Sequence, residues 1–235
     1  MLKVLQQKGE IQSARKIMKK NNQSIVEGVV SRFLRKLGLA RGLPVGDHIK
    51  SWDVQLTLEF ISKEIAKDSM ILDLGAYCSE VPVSLKKMGY INIHGIDLNP
   101  GVVAMPYADL VKYDIGNFME TPYADASFDV ITAISVIEHG YEPSKLFSEL
   151  SRLLRPGGYF ISSFDYWPEK IDTSNTLFFD LSWLIFSEDD VRALLNVAYA
   201  FGLSPIGHSH TKASERAVSC AGFNYTFGWL VLRKI

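Results

Sequence analysis

The chain has 235 residues, 47% hydrophobic and 22% charged, which suits one α/β domain with an extension and excludes a wholly disordered or fibrous chain. Its apolar runs are far shorter than the roughly 20 residues that span a bilayer, and the first eight residues lack the apolar stretch of a signal peptide. Two cysteines are too few for a disulfide scaffold. We therefore expect a reducing, cytoplasmic setting. The net charge of −1 conceals an asymmetry, because residues 1–50 hold 11 Lys and Arg against 3 Asp and Glu, a net +8, and the remainder carries −9.

Residues 1–50 are predicted to form a basic helical extension or lid. Apolar residues recur at roughly helical spacing from Leu2 to Met18 and again from Ile25 to Leu37. The polar faces of these helices are basic. We expect a solvated face on helices that cover the main domain, and contact with an anionic partner or membrane surface is the alternative.

Residues 51–235 are predicted to form the main domain. An amphipathic helix at 52–67 is followed by short apolar runs typical of strands, which begin at Met70, Ile91, Asp109, Phe128, Tyr159 and Trp229. Helical segments fall between several of them, at 79–88, 143–154 and 187–201. Strands that alternate with helices predict a largely parallel sheet covered on both faces.

The first candidate site is the turn that follows the strand at 71–74. Asp73 lies near the end of this strand, and Gly75 permits a tight turn or the close approach of a ligand to the backbone. Ala76 and Tyr77 complete the turn. Ligands of open α/β sheets bind in the crevice beyond the strand ends, so this turn is a candidate cofactor site, although a purely structural turn has the same pattern.

A dinucleotide is disfavoured here. The G-x-G-x-x-G motif needs a second glycine near the pyrophosphate, where this chain has Tyr77, and Glu80 stands at the place of the third glycine. An acid at that place would repel a pyrophosphate. A nucleoside cofactor without phosphates fits better, and S-adenosylmethionine, whose sulfonium is cationic, is one.

Two further strand ends carry acids that suit a nucleoside. Asp97, 22 residues after Gly75, could accept hydrogen bonds from both ribose hydroxyls, with Leu98 beside it. Its alternative role is a helix N-cap. Asp114 could accept from an adenine amino group, with Ile115 packed on the ring, although a turn aspartate would look the same.

The order of these motifs resembles the class I S-adenosylmethionine-dependent methyltransferases, most closely the methyltransferase type 11 group. The resemblance runs from about Ile71 to Phe160, and it rests on Asp73-Leu74-Gly75, Asp97, Asp114, Phe128–Ile131 with Ile137-Glu138-His139, and Leu154–Gly158. It implies a Rossmann-like, doubly wound sheet of seven strands with the last strand antiparallel. The cofactor, S-adenosylmethionine, would lie across the strand ends, and Ser135 is a further residue predicted to contact it.

The chain departs from this family in its first loop. The family writes D-x-G-x-G-x-G, and here only Gly75 is kept, since Tyr77 and Ser79 replace the other glycines. A non-catalytic binding protein with the same fold is therefore an alternative. A second departure is the short connection from Asn99 to Asp109, which leaves little room for the usual helix.

His139 is the candidate catalytic residue. Methyl transfer requires that nucleophile and methyl group be positioned, and a hydroxyl acceptor also needs a base with a pKa near 7. His139 follows the fourth strand of the motif series and is predicted to face the crevice; a merely orienting histidine is the alternative. We expect no metal, because His208 and His210 have no convincing third ligand.

The methyl acceptor is predicted to bind in an insertion at 165–185, through Tyr166, Trp167 and Asp172. Aromatic rings stack on sugars or heterocycles, and carboxylates hydrogen-bond to hydroxyls or amines. We therefore expect a small polar acceptor, such as a sugar or nucleotide-sugar, that receives the methyl group on an O or N atom. An RNA methyltransferase that uses the basic residues is the remaining alternative. The scarcity of aromatic residues before Trp52 disfavours stacking on single strands.

Overall fold

A computed structural model describes residues 1–26 and 45–235 of the chain. The first segment contains strand β1 (Leu2–Val4) and helix α1 (Lys8–Lys20), and helix α2 (Ser51–Glu64) opens the second. The predicted helix between Ile25 and Leu37 falls almost wholly outside the described residues. The helical prediction that begins at Leu2 is wrong for its first turn, because Leu2 and Val4 are buried with Lys3 exposed between them, the alternation of a strand.

Five parallel strands form the centre of the sheet. They are β2 (Met70–Leu74), β3 (Asn92–Asp97), β4 (Lys112–Ile115), β5 (Phe128–Ile134) and β6 (Leu154–Tyr166). Their order across the sheet is β4–β3–β2–β5–β6. The chain runs outward from β2 through β3 to β4, then crosses to the other side of β2 and runs outward again from β5 to β6. The topological switch point therefore lies between β2 and β5, and ligands of open α/β sheets bind at such a point.

The remaining strands close the other edge of the sheet or form a hairpin. The chain continues through β7 (Leu177–Phe178), β8 (Leu181–Ser182), β9 (Leu203–Pro205), β10 (Val218–Cys220) and β11 (Phe223–Lys234). β11 pairs antiparallel with β6, and β1, β9 and β10 pair antiparallel with β11. Among the described residues, β7 and β8 pair with each other alone. The Rossmann-like prediction with an antiparallel last strand is confirmed. In the described part of the chain the sheet has nine strands, because β1 and β10 add to the expected seven.

Three helices connect the strands at positions close to those predicted. They are α3 (Val81–Lys87), α4 (Pro143–Leu153) and α5 (Glu188–Ala200). Ser187 caps α5, since its hydroxyl accepts from the Asp190 N–H while the Asp190 carboxylate accepts from the Ser187 N–H. Between β3 and β4 the short connection holds only a 3₁₀ helix at Pro100–Ala104.

Helices cover both faces of the sheet. Successive residues of one strand enter different hydrophobic clusters, as Ile71 and Leu72 do, because side chains alternate between the faces of a strand. One cluster contains residues of α4 and α5, and the other contains residues of α1, α2 and α3. The described part of the predicted extension therefore covers a face of the sheet; its role as a lid stays a prediction.

Candidate functional site

A cavity of about 680 Å³ lies at the carboxyl ends of β2, β3 and β5. Six of the thirteen residues that the sequence singles out lie on its wall: Gly75, Tyr77, Asp97, Leu98, Ser135 and His139. The strand order places the β3 residues on one side of the turn after β2 and the β5 residues on the other. The predicted crevice thus brings together residues that are up to 64 positions apart in the chain.

The turn after β2 depends on a glycine. Gly75 has a φ of +67°, and a Cβ at this position would lie 2.4 Å from Val136 Cγ2, so a larger residue would strain the backbone and crowd Val136. The N–H groups of Gly75 and Ala76 both donate to the Ile96 carbonyl, at 3.0 and 3.1 Å. Ala76 is buried beneath this turn, which the backbone holds against β3.

Asp97 lies at the end of β3 with both carboxylate oxygens fixed. Oδ2 accepts from the Tyr77 N–H at 2.9 Å, and Oδ1 accepts from the Asn99 N–H at 2.7 Å. Each oxygen has a further lone pair, so the carboxylate can still accept hydrogen bonds from a ligand. Asn99, whose side chain accepts from the Gly101 N–H, is the N-cap of the 3₁₀ helix, and the alternative role of Asp97 as that cap is therefore excluded.

Tyr77 stands where the family has a glycine. Its ring lies against Gly101, because a Cβ on Gly101 would be 2.8 Å from Tyr77 Cε2. The ring therefore rests on the connection after β3, and Tyr77 forms part of the cavity wall. With Tyr77 and Ser79 in this loop, the cavity has a volume of about 680 Å³.

Asp73 supports the turn from beneath. It is 1% exposed and its Oδ1 accepts from the Thr132 hydroxyl at 2.5 Å. Burial, and secondarily the charge of Asp97, raises the pKa of Asp73 to about 7. Asp73 is absent from the cavity wall, so its place in the structure is that of a buried group that holds the strand end.

Asp114 and Ile115, the predicted adenine contacts, lie at the end of β4 and outside the cavity wall. Asp114 Oδ2 accepts from the Tyr123 hydroxyl at 2.8 Å, and Ile115 is 53% exposed. Their contact with adenine stays a prediction. Phe118, three residues further on, does line the cavity; sequence reasoning missed it, although an aromatic residue just after a strand end was the available signal.

Lys50 and His139 share the β5 side of the cavity. The Lys50 ammonium donates to the Ser135 hydroxyl, lies 3.8 Å from Asp165 Oδ1 and sits 4.0 Å from the centroid of the Phe227 ring. His139 Nδ1 has no hydrogen-bond partner among the described residues. Burial lowers the pKa of His139; the charge of Asp165 raises it and that of Lys50 lowers it. The two groups are therefore electrostatically coupled.

Three carboxyl groups near the Lys50 ammonium are buried. Asp53, Glu138 and Asp165 are each at most 4% exposed. Burial raises the pKa of Asp53 to about 6, although the Lys50 charge and the Ser163 hydroxyl, 2.7 Å from Asp53 Oδ2, oppose this. Burial together with the charge of Asp165 raises the pKa of Glu138 well above its usual value. Sequence reasoning missed this group because its members come from three separate parts of the chain.

The predicted methyl-acceptor residues Tyr166, Trp167 and Asp172 are not on the cavity wall, and their contact with an acceptor stays a prediction. Tyr166 is fully buried, because β6 continues to this residue and pairs with β11, and its hydroxyl donates to the Thr211 carbonyl at 2.6 Å. The Trp167 ring is covered by the guanidinium of Arg216, 4.2 Å away. Asp172 is exposed and accepts from the Ser174 N–H. The same insertion reaches the cavity through Phe179 and Leu181 instead.

A second cavity, of about 710 Å³, lies beside β1 and α2. Its wall includes Lys3, Trp52 and His210 but none of the predicted site residues. Within residues 1–26 and 45–235, no His, Cys, Asp and Glu side chains form a group of three that could hold a metal ion. No helix in these same two ranges has the length and apolar character needed to cross a bilayer.

Comparison with known proteins identifies the central segment. A family model described as "Methyltransferase domain" matches residues 72–162. A "Probable S-adenosylmethionine-dependent methyltransferase" from Mycolicibacterium smegmatis is 42% identical over 71 residues, which are 29% of this chain and 28% of the relative. The chain spans 28%, 30% and 34% of the lengths of three curated relatives that it matches.

Solved structures share the fold at low sequence identity. Geranyl diphosphate C-methyltransferase from Streptomyces coelicolor A3(2), in complex with Mg²⁺, geranyl diphosphate and S-adenosyl-L-homocysteine, has a TM-score of 0.59 at 14% identity and covers 83% of this chain and 86% of its own. PH0226 protein from Pyrococcus horikoshii OT3 has a TM-score of 0.57 at 19% identity, covering 77% and 89%. These structures show the fold alone. The family model identifies residues 72–162 as matching a methyltransferase domain, the Mycolicibacterium smegmatis relative is similar over part of the chain, and the sheet order and the cavity at the strand ends agree with this match.

Proposed function

We propose that the protein transfers a methyl group from S-adenosylmethionine to an O or N atom of a small polar acceptor. One observation carries this proposal: a single cavity has a carboxylate suited to a ribose, Asp97, on its β3 side and a basic pair, Lys50 and His139, on its β5 side. The turn at Gly75 lies between them. The two sides correspond to the two substrates of a transfer reaction.

The residues on the β3 side fit an adenosyl group. Asp97 has lone pairs left for two hydroxyls, and Leu98 and Phe118 offer apolar surface to a flat ring. The acids Asp97 and Glu80 on the same wall favour a cofactor with cationic groups over one with phosphates. When bound, S-adenosylmethionine supplies an activated methyl group on a positively charged sulfur.

The residues on the β5 side suit the handling of a proton. A neutral His139 can accept the proton of a hydroxyl or ammonium group, and burial favours its neutral form by lowering its pKa. The Lys50 ammonium nearby would stabilise negative charge that develops on the acceptor atom. Ser135, which accepts the Lys50 hydrogen bond, keeps this ammonium at the cavity wall.

A sugar or nucleotide-sugar is the acceptor class that we propose. Phe179 lies on the cavity wall and is 83% exposed, so its ring is available to stack on the face of a sugar or base. Lys50 could pair with a phosphate or bind a hydroxyl. We further propose that residues 51–235 are the catalytic domain, with 165–185 as its acceptor-binding insertion and 1–50 as its basic extension.

Two alternative functions are supported by specific features. The replacement of two loop glycines by Tyr77 and Ser79 supports a non-catalytic protein that binds the cofactor only. The net charge of +8 in residues 1–50 supports an RNA methyltransferase. Turnover on a small molecule would contradict the first, and RNA binding that weakens steeply with salt would revive the second.

The experiment is methyl transfer from radiolabelled S-adenosylmethionine to a panel of sugars, nucleotide-sugars and amines. We expect transfer by the wild type to at least one of them, a fall of about 10²-fold or more in kcat for His139→Ala, and no change for His208→Ala, which removes an exposed histidine. Cofactor binding without transfer to any compound would contradict the proposed activity. Full activity of His139→Ala would contradict the base role alone.

A further inference from the structure

We propose that Glu80, positioned by Arg15 of the N-terminal segment, binds the ammonium group of the cofactor's amino-acid tail. The inference rests on the proposed function, since it takes S-adenosylmethionine as the ligand. It assigns a cofactor-binding role to Glu80, which stands where a dinucleotide-binding loop would have a glycine. It assigns a positioning role to Arg15, which lies outside the matched residues 72–162.

Arg15 is a buried cation with four partners. It is 4% exposed although it lies on α1. Its guanidinium donates to the hydroxyls of Ser51 and Ser24, both at 2.9 Å, to the Asp47 carbonyl at 3.0 Å and to Glu80 Oε1 at 2.6 Å. A guanidinium has five N–H donors in a rigid planar arrangement. Arg15 therefore fixes the Glu80 carboxylate against α1 and the segment before α2.

Glu80 uses only one of its two oxygens within the described structure. Oε1 accepts from Arg15 and from the Ile25 N–H, the latter at 2.9 Å. Oε2 has no hydrogen-bond partner, although the residue is only 2% exposed and lies on the cavity wall. A buried carboxylate oxygen without a donor is costly, so the cavity offers a site that a donor on a ligand would satisfy.

Gly46 keeps a side chain away from this oxygen. A Cβ at position 46 would lie 2.9 Å from Glu80 Oε2, so any side chain there would crowd it. Gly46 also lines the cavity, and its N–H donates to the Cys78 carbonyl at 2.9 Å. The glycine is thus held in place next to the unpartnered oxygen.

The chemistry of Glu80 favours an ammonium over the other charged group of the tail. A carboxylate attracts a cationic donor and repels the cofactor's own carboxylate. Asp73 Oδ2 also has no partner among the described residues, but Asp73 lies outside the cavity wall. Three acids line the wall, Asp47, Glu80 and Asp97. Asp47 and Asp97 each accept backbone N–H groups within their own loops. We therefore assign the ammonium to Glu80, whose Oε2 has no partner in the described part of the chain.

The test compares two ligands in one variant. Calorimetric titration measures the dissociation constants of S-adenosylhomocysteine, which has the amino-acid tail, and of 5′-methylthioadenosine, which lacks it. For Glu80→Gln we expect the constant for S-adenosylhomocysteine to rise about tenfold or more, the effect of one lost charge-assisted hydrogen bond, and the constant for methylthioadenosine to change less than about threefold. Glu149→Gln is the matched control, because it removes a carboxylate from another arginine pair, with Arg152, away from the cavity.

A general folding defect would weaken both ligands alike and leave their ratio unchanged. Because Glu80→Gln leaves Arg15 buried without its charge partner, the double variant Arg15→Met with Glu80→Gln is measured as well. An unchanged ratio of the two constants in the folded variants, or tighter binding of S-adenosylhomocysteine, would overturn the role of Glu80. If the wild type binds neither ligand, the cofactor of the proposed function is wrong, and the inference falls with it for that separate reason.

Discussion

The carboxylate of Asp97 accepts a hydrogen bond from the backbone N–H of Tyr77, with 2.9 Å between Oδ2 and the nitrogen. This bond joins the end of β3 to the loop after β2. It holds the loop in a turn that carries Tyr77 and Ser79 at two positions where the resemblance predicts glycines. The same carboxylate is the proposed ligand of the ribose, so one side chain would both shape the loop and bind the cofactor.

Replacement of Asp97 by Ala should abolish cofactor binding. The variant loses the proposed ribose contacts and the bond that holds the loop at Tyr77. In the wild type, S-adenosylhomocysteine at 100 times its dissociation constant should add about 2.7 kcal/mol to the free energy of unfolding, visible as a rise in melting temperature. We expect no rise for Asp97→Ala.

Asp180→Ala serves as the control, because Asp180 is an exposed acid on the β7–β8 hairpin. It should keep the full rise in melting temperature. A normal rise in the Asp97→Ala protein would contradict the assignment of this residue to the ribose.

The predicted site residues that lie on the cavity wall follow patterns that are local in sequence. Gly75 and Asp97 each follow a recognisable strand, and the carboxyl ends of neighbouring parallel strands meet at one edge of a sheet. Lys50, Phe118 and Phe179 were missed. No local pattern marks Lys50, which reaches the cavity from the residue just before α2, because its position depends on how α2 packs on the sheet.

The fold shows the same division. The central strands and the helices from 70 onward were predicted from periodicity, because each buries its own stripe or face. The short strands β7, β8 and β10 were not predicted. The strand β1 was missed, since three residues are too few to display an alternation and their pairing with Gly228–Leu230 is set by tertiary structure. The sequence also does not show where β6 ends, and the strand continues to Tyr166, at the start of the predicted insertion.

Gly75→Ala should destabilise the protein by about 2 kcal/mol or more. The left-handed backbone costs a residue with a Cβ roughly 1–2 kcal/mol, and the new methyl group would meet Val136 at 2.4 Å. Denaturant unfolding measures the effect. Gly9→Ala is the matched control, because Gly9 lies in α1 with open space around it, and there alanine should add about 0.5–1 kcal/mol. Equal stabilities of wild type and Gly75→Ala would show that the turn is not constrained.

Asp73→Asn should stabilise the protein at neutral pH. Burial raises the pKa of Asp73 to about 7 in the folded state, so the folded state favours the protonated form. The stability from this group is fully present below its ordinary pKa of about 4 and is lost as the pH rises through about 7. Asparagine is neutral, as the protonated carboxyl group is, so the Asp73→Asn variant does not lose this stability as the pH rises.

The stability advantage of Asp73→Asn should therefore grow between about pH 4 and pH 7 and then stay constant, at up to a few kcal/mol. Urea unfolding at several pH values measures it. Asp180→Asn, an exposed acid, should show no comparable trend. An advantage that is independent of pH would contradict the proposed protonation of Asp73.

Lys50→Met should move the pH profile of methyl transfer. The acidic limb of kcat/KM reports the protonation of His139, which inactivates it as a base. The Lys50 charge lowers the pKa of His139, so removing that charge should raise this pKa and shift the limb to higher pH. The loss of activity should then be larger at pH 6 than at pH 8. Lys63→Met, an exposed lysine of α2, should leave the limb in place, and an unmoved limb in Lys50→Met would contradict the coupling.

Phe179→Ala should weaken binding of the methyl acceptor without unfolding the protein. The ring lies on the cavity wall yet is 83% exposed, so its truncation should change the free energy of unfolding by less than about 0.5 kcal/mol. Loss of a stacking contact worth about 0.5–1.5 kcal/mol should raise KM for the acceptor by roughly two- to tenfold, with little change in KM for S-adenosylmethionine. Leu177→Ala is the matched control, because Leu177 is 64% exposed on the same hairpin and lies off the cavity wall. If both variants raise the acceptor KM equally, the hairpin acts through its fold; if Phe179→Ala has no effect, the acceptor does not reach this side of the cavity.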